Sequence, residues 1–191
     1  SGDDYGQNQA VSDAVAVMDH LGIDRAHIVG LSMGGFCTVH MGLRHGARVR
    51  SLLVAGCGYG SPPRDHVEFS QFARDLADEI EQRGWDEVSA EYAQGPGRLS
   101  FKRKSPRGWK EFANNLATHS GHGSAMHMRH VQGGRPSLWD FEDGLKALLM
   151  PVLVVNGDED PSCLETGLWL KQTIPNCGHW ILPNTGHTMK N

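Results

Sequence analysis

The sequence has 191 residues, of which 39% are hydrophobic and 21% charged, with a formal net charge of −4. This length allows one domain with a sizeable core, and the mild acidity argues against binding to nucleic acid. No apolar run approaches the roughly 18 residues that a membrane helix needs, and no basic-then-apolar signal peptide precedes the first helix.

The chain begins with an alternation of helix and strand. Residues 7–21 predict a helix, because apolar residues from Val11 to Met18 recur at i, i+3, i+4 and i+7 and form one buried stripe. Gly22 follows as a left-handed cap. The apolar run 27–31 is too short for a helix, so we expect a strand that is buried on both faces.

A second helix over 33–44 and a second strand over 49–55 follow, and the glycine-rich segment 56–63 ends that strand. From residue 62 to about 148 no strand is predicted. Apolar spacing from Phe69 to Ile80 indicates an amphipathic helix. Shorter helical patches are predicted over 85–92, 109–116 and 126–131.

Strands return at 151–156 and 178–182, with a helix over 163–173 between them. This order predicts an α/β fold with a mostly parallel sheet, helices on both faces and a helical insertion. The insertion begins at the carboxyl end of a strand, which is the edge of the sheet where ligands bind. We therefore expect the insertion to act as a lid. The predicted divisions are a core segment 1–61, the lid 62–148 and a second core segment 149–191.

Ser32 lies between a predicted strand and a predicted helix, in the pattern G-x-S-x-G formed with Gly30 and Gly34. The turn there is sharp, and side chains at the two glycine positions are expected to collide. Such a turn holds the serine in a strained conformation with its hydroxyl exposed above the sheet. The Met33 N–H at the start of the helix is the expected oxyanion donor.

A serine hydroxyl needs an adjacent base, and the base needs an acid to orient it. Three carboxylates follow the third strand, and we favour Asp160 because it is far enough along to turn back toward Ser32. Asp158 is the alternative. The base is expected to be His187, which lies in a glycine-containing loop after the last strand. His179 competes with it but begins that strand, at the wrong end of the sheet.

Three segments resemble the α/β-hydrolase fold family: 28–35 its nucleophile elbow, 152–161 its acid strand and turn, and 183–187 its histidine loop. The order Ser, Asp, His is also that of the family. The resemblance therefore implies Ser32, Asp160 and His187 as a catalytic triad. Family members normally carry several strands before the elbow, with a second oxyanion donor, and a helix after the histidine. The sequence is therefore expected to be an internal fragment.

The resemblance implies a serine hydrolase without cofactor or metal, which cleaves an ester, lactone or thioester of a small apolar acid through an acyl-enzyme. A C–C bond hydrolase of ring-cleavage products is the alternative, because it uses the same triad on an acidic enol. The only hint of it is a basic stretch around 102–104, flanked by Arg98, Arg107 and Lys110 and interpreted as a solvated loop. A non-catalytic binding protein on a hydrolase scaffold is the alternative from another class.

Four histidines of the predicted lid form two H-x-x-H pairs, namely His119, His122, His127 and His130. Histidines at this spacing can bind metal, but no carboxylate pattern or cysteine accompanies them. They are therefore interpreted as polar residues of a lid helix near the cleft. The aromatic residues of the lid are interpreted as its core, with some lining an apolar acyl pocket: Phe69, Phe72, Trp85, Trp109, Phe112 and Trp139.

The four cysteines (Cys37, Cys57, Cys163 and Cys177) are widely spaced and contain no C-x-x-C pair. Reduced thiols in a cytoplasmic protein are the simplest interpretation. Cys163 is close in sequence to the expected acid and is interpreted as a packing residue. The expected partner is a small-molecule substrate, with no nucleic-acid or membrane partner, and the oligomeric state is left open.

Overall fold

A computed structural model of the chain describes residues 5–189. Its sheet has four strands in the order β1 (Ala26–Leu31), β2 (Val49–Ala55), β3 (Val152–Gly157) and β4 (Cys177–Leu182). All three pairings are parallel, so the carboxyl ends of the strands meet at one edge, where α/β sheets bind ligands. The predicted α/β class with a parallel sheet is confirmed.

The helices that pack on the sheet are α1 (Gln7–His20) and α2 (Met33–His45) before β2, and one helix between β3 and β4. The first ends close to the predicted residue, and Gly22 has a φ of 66° that lets the chain reverse. The helices between β2 and β3 are α3 (Pro63–Arg83), α4 (Trp85–Tyr92), α5 (Pro96–Lys104), α6 (Pro106–Ala117), α7 (Gly121–Met126) and α8 (Glu142–Lys146). The last is α9 (Pro161–Thr173).

The main core gathers on one face of the sheet. Leu52 of β2 and Val154 of β3 pack there with buried residues of α1, α2, α8 and α9, such as Phe36 and Leu170. The opposite face is more open, since Val29 of β1 is 68% exposed. The prediction that this strand is buried on both faces was therefore wrong.

Residues 63–146, which we call the helical segment, contain α3 to α8 and two short irregular helical turns, His127–Gln132 and Leu138–Phe141. The helix α5 ends in the basic stretch that was interpreted as a solvated loop. The stretch is solvated as expected, but it is helical and not a loop. The helix escaped prediction because α5 buries only one side chain, Phe101, which leaves almost no apolar periodicity to detect. None of the helices within residues 5–189 is long and apolar enough to cross a membrane.

The aromatic residues of the helical segment do not form a single lid core. Phe69 is 8% exposed, whereas Phe72 is 49% exposed and faces solvent. Trp139 packs against the main core instead, where its ring stacks on that of Trp169 of α9 at a centroid distance of 3.9 Å. A second buried cluster inside the segment joins α3 with α4 and α7 through Ala77, Ile80, Val88 and Ala125.

Candidate active site

The structure brings Ser32, His187 and Asp160 together at the carboxyl edge of the sheet. His187 Nε2 lies 2.7 Å from Ser32 Oγ, and His187 Nδ1 lies 2.8 Å from Asp160 Oδ2. With its proton on Nδ1, the imidazole donates to the carboxylate and accepts from the serine hydroxyl. This is the arrangement of nucleophile, base and orienting acid that activates a serine.

The turn between β1 and α2 exposes Ser32 by an unusual backbone conformation. Ser32 has a φ of 57° and a ψ of −115°, a region of backbone conformation that residues other than glycine rarely adopt. Its N–H donates to Ala55 O of β2 at 2.9 Å, which holds the turn against the next strand. The hydroxyl is thus fixed above the sheet, in the strained conformation that the pattern predicts.

The two glycines of the turn have different roles. A Cβ on Gly30 would lie 2.0 Å from Gly34 O and 2.4 Å from Thr38 Oγ1, so only glycine fits there. A Cβ on Gly34 would meet no atom within 4 Å among the described residues. The expectation that a side chain collides at both positions was therefore wrong for Gly34, whose backbone, and not its Cα substituent, makes the close approach.

The Met33 N–H is the first helical donor after the nucleophile. It has no acceptor in the part of the chain that the structure describes, whereas the N–H groups of Gly35 and Phe36 donate to Ser32 O. A free N–H at a helix amino terminus, next to the serine, can stabilise negative charge that develops on a substrate oxygen. This geometry fits the expected oxyanion donor.

The two candidate acids are placed differently. Asp160 precedes α9 and points its carboxylate at His187, with 9% of the side chain exposed. Asp158 does not contact His187. Its Oδ1 accepts from Thr185 N at 2.8 Å and its Oδ2 accepts from Asn184 N at 2.9 Å. These two backbone donors hold the pKa of Asp158 below its usual value.

The histidine loop therefore rests on the acid turn. Besides the two bonds to Asp158, Glu159 N donates to Thr185 O at 2.8 Å. A Cβ on Gly157, the last residue of β3, would lie 2.0 Å from the same carbonyl. The loop that carries His187 is thus aligned by the end of β3, which also carries the acid.

Cys163, in the first turn of α9, lies behind the acid and the base. Its Sγ is 3.9 Å from His187 Nδ1 and donates to Gly56 O at 3.4 Å. Burial, with the nearby charge of Asp160, raises the pKa of this thiol well above its usual value. The thiol therefore stays protonated beside the Asp160–His187 hydrogen bond.

Asp160, Cys163 and His187 each bring one potential metal-ligand atom within 4.8 Å of the others. The carboxylate and the imidazole already bond to each other, and the raised pKa keeps the thiol protonated, whereas metals bind the thiolate. The chemistry of these groups suits a hydrogen-bonded acid and base better than a metal site.

The helical segment reaches the catalytic loops through α5. A Cβ on Gly186 would lie 1.9 Å from Ser100 Oγ, and Arg98 donates to Thr188 Oγ1 at 3.4 Å. Arg103 binds both oxygens of Glu159, at 2.6 and 2.7 Å. A cavity of about 380 Å³ beside the loop is lined by α5 and by the residues on both sides of His187.

The other predicted candidates lie away from Ser32. His179 Nε2 is 2.9 Å from Asn156 Oδ1, against α9. Three of the lid histidines, His119, His122 and His127, are exposed. Within residues 5–189 these histidines form no cluster of potential metal ligands.

A buried cation that the sequence pattern does not indicate is Arg135, which follows α7 within the helical segment. Only 4% of this residue is exposed, and its guanidinium stacks 3.7 Å from the ring centroid of Phe36, a residue of the elbow helix α2. The surrounding sequence Gly-Gly-Arg-Pro has no apolar periodicity, so nothing in the local pattern indicates that this arginine is buried.

Comparison with known proteins concerns the family and the fold of the chain. A model of the alpha/beta hydrolase fold matches residues 1–189. The chain is 30% identical to a 2-hydroxymuconate semialdehyde hydrolase of Pseudomonas putida, covering 92% of this chain and 63% of that protein. It is 25% identical to 3-oxoadipate enol-lactonase 1 of Acinetobacter baylyi, covering 92% and 62% of the two chains. The chain thus spans less than two thirds of these relatives.

Among solved structures, MenH from S. aureus superimposes with a TM-score of 0.86 at 18% identity, covering 96% of this chain and 68% of that one. At this identity the likeness concerns the fold. It agrees with the parallel sheet, and the family model matches nearly all residues. The chain belongs to the α/β-hydrolase fold family.

Proposed function

We propose that the protein is a serine hydrolase that cleaves an ester, lactone or thioester through an acyl-enzyme. The observation that carries this proposal is the pair of hydrogen bonds of His187, 2.7 Å to Ser32 Oγ and 2.8 Å to Asp160 Oδ2. The strained backbone of Ser32 and the free Met33 N–H support it.

In the first half of the reaction, His187 Nε2 takes the proton of Ser32 Oγ as that oxygen attacks the substrate carbonyl. The negative charge moves to the carbonyl oxygen, where the Met33 N–H donates to it. Asp160 keeps the Nδ1 proton in place and stabilises the imidazolium. The leaving group then takes the Nε2 proton, and an ester joins Ser32 to the acyl group.

In the second half, water repeats the attack. His187 removes a proton from the water, whose oxygen adds to the acyl carbon, and Ser32 leaves as an alkoxide that takes the proton back. The burial of Asp160 strengthens its interaction with the imidazolium, since fewer water molecules screen the charge there. The same residues serve both halves, and no cofactor enters the balance.

The test is covalent labelling with a fluorophosphonate, which modifies activated serines. We expect stoichiometric labelling at Ser32, and its loss in Ser32→Ala and in His187→Gln. Ser61 supplies a matched control, because it is a buried serine outside the site, so Ser61→Ala should keep the labelling. A folded protein that shows no label on Ser32 would contradict the proposal.

C–C bond hydrolysis is the second candidate, because one relative is named a 2-hydroxymuconate semialdehyde hydrolase and is 30% identical. Such a reaction would use the same serine, histidine and aspartate. Fluorophosphonate labelling does not separate the two candidates. Turnover of a vinylogous 1,5-diketone, compared with that of a simple aryl ester, does so.

We also propose that residues 62–148 act as a lid and that the protein is cytoplasmic. The contacts of α5 with the histidine loop support the lid, since they let the segment cover the site. The free thiols of the four cysteines support a reducing compartment. A non-catalytic binding role is disfavoured, because all three groups of the triad lie within hydrogen-bond distance.

A further inference from the structure

Glu159 lies in the acid turn, between the two candidate acids, and joins three parts of the site. Its backbone N–H donates to Thr185 O of the histidine loop at 2.8 Å. Its carboxylate oxygens accept from Nη2 of Arg103, a residue of α5, at 2.6 and 2.7 Å. The next residue in the chain is Asp160, which binds His187. One residue therefore connects the acid, the loop of the base and the helical segment.

The helix α5 also contacts the two chain neighbours of the base. A Cβ on Gly186 would lie 1.9 Å from Ser100 Oγ, so this hydroxyl packs directly on the backbone of the loop. Arg98 donates to Thr188 Oγ1 at 3.4 Å. A movement of α5 would therefore act on the backbone on both sides of His187. The loop is bonded to the acid turn and packed against α5.

The ion pair of Arg103 with Glu159 differs from the contacts of neighbouring cations. Lys102 lies 4.3 Å from the ring centroid of Trp109, and Arg107 binds a glutamate one turn along its own helix. These partners belong to the helical segment itself. Arg103 instead binds a residue 56 positions away in the chain, beside the candidate acid. This pair is therefore a direct attachment of α5 to the acid turn.

The energy of the pair indicates where its effect should be measured. Both side chains are exposed, and exposed ion pairs contribute little to the free energy of unfolding. A small displacement of a catalytic group, by contrast, lowers a reaction rate strongly. A role of the pair in catalysis should therefore change the rate much more than the melting temperature.

We propose that Glu159 is a positioning residue for the catalytic base. Its ion pair with Arg103 holds α5 against the histidine loop, and this contact aligns His187 with Ser32. The inference rests on the proposed hydrolase function and the proposed lid, and it adds that closure of the helical segment and alignment of the base are one event. Glu159 acts through the loop and not on the substrate.

The competing explanation is that this ion pair is one of several surface contacts between the helical segment and the core. Arg64 of α3 provides the matched control, since its Nη1 lies 2.7 Å from Oε1 of Glu165 in α9. That pair also joins the helical segment to the core, and both of its residues are exposed. Neither residue bonds to the histidine loop within residues 5–189, so Arg64→Met removes an equivalent pair away from the base.

Rates on an aryl ester provide the first measurement. We expect Glu159→Gln and Arg103→Met each to lower kcat by roughly 2- to 5-fold, the change in population that an exposed ion pair supplies. KM should change little, because the substrate does not contact the pair. The double variant should lose no more than either single variant, since both changes remove the same contact. Arg64→Met should keep the kcat of the unmodified protein.

Reversal of the charges separates a specific pair from a general effect on the surface. Glu159→Lys faces Arg103 with a like charge and should lower kcat more than Glu159→Gln does. Adding Arg103→Glu to Glu159→Lys restores an opposite pair and should recover part of the rate. Losses that multiply in the double variant, no recovery on charge reversal, or an equal loss in Arg64→Met would overturn the inference.

Amide hydrogen exchange keeps this test separate from that of the proposed function. The Thr185 N–H donates to Asp158, so its exchange reports how often the histidine loop leaves the acid turn. We expect faster exchange there in Glu159→Gln and Arg103→Met, but not in Arg64→Met. If Ser32 takes no label and no ester is cleaved, the hydrolase proposal fails, whereas exchange still reports on the loop. Unchanged exchange in Glu159→Gln and Arg103→Met contradicts the assignment of Glu159.

Discussion

Asp158 and Asp160 are two residues apart and are placed for different tasks. Asp160 faces His187 and is almost covered, whereas both oxygens of Asp158 accept backbone N–H groups of the histidine loop. A sequence pattern shows that both acids follow the same strand, but not which carboxylate points at the histidine. Which carboxylate turns back is decided by the backbone path of the turn, which places Asp160 directly before α9.

Exchanging each acid for its amide separates the two roles. Asp160→Asn should lower kcat by about 10⁴-fold, because the amide favours the wrong imidazole tautomer. Asp158→Asn should lower the melting temperature, because a charged acceptor of two N–H groups becomes neutral, and it should change kcat far less. Rates on an aryl ester and thermal unfolding of both variants provide the measurement, and equal losses of kcat would contradict the assignment of Asp160.

At the scale of elements, the elbow depends on close contact between the end of β1 and the start of α2. The contact exists because Gly30 lacks a side chain just where the carbonyl of Gly34 approaches. The histidine loop shows the same dependence, since Gly157 and Gly186 admit Thr185 O and Ser100 Oγ. The local pattern suggests each glycine, but only the packed structure identifies which atom fills the space.

Alanine at the two elbow glycines should have unequal effects. Gly30→Ala places a methyl group 2.0 Å from a backbone oxygen that cannot move away without distorting α2, so we expect a loss of about 3 kcal/mol in the free energy of unfolding. Gly34→Ala meets open space within residues 5–189 and should change it by less than about 0.5 kcal/mol. Urea unfolding measures both, and a similar loss for the two variants would refute the geometry of the turn.

At the scale of the whole molecule, one buried cluster on one face of the sheet joins the two core segments that the helical segment separates in sequence. His40 of α2 is part of this interior and is 0% exposed, with its ring edge-on to Phe141 at 5.0 Å. Neither ring nitrogen has a partner among the described residues. Burial, helped by the charge of Arg44, lowers the pKa of His40 to about 4.

His40 should make the whole fold sensitive to acid. Below its ordinary pKa of 6.5 the unfolded chain binds a proton that the folded protein refuses until the pH falls to about 4. Stability is therefore lost as the pH falls through this window, by about 3 kcal/mol in total. His40→Leu should flatten the dependence of unfolding free energy on pH, and His20→Gln, a change at an exposed histidine, should keep it. An unchanged slope in His40→Leu would contradict this account.

The sequence by itself determined the fold class and the order of the candidate groups. Apolar runs bounded by turns identified all four strands within a few residues, although β1 and β4 are less buried than strands with both faces covered. The pattern around Ser32 and the loops that follow β3 and β4 gave the candidate nucleophile, acid and base. Their geometry agrees with this order, and their catalytic roles are tested by the variants above.

Only the tertiary structure decided which of Asp158 and Asp160 faces the histidine. It also decided that Val29 of β1 is exposed and that Arg135 is buried. These outcomes depend on contacts between residues far apart in the chain, such as Arg135 with Phe36 and Tyr59. Periodicity shows whether apolar residues recur along one face of a helix or strand. It carries no information on which distant ring or carbonyl a charged side chain will contact.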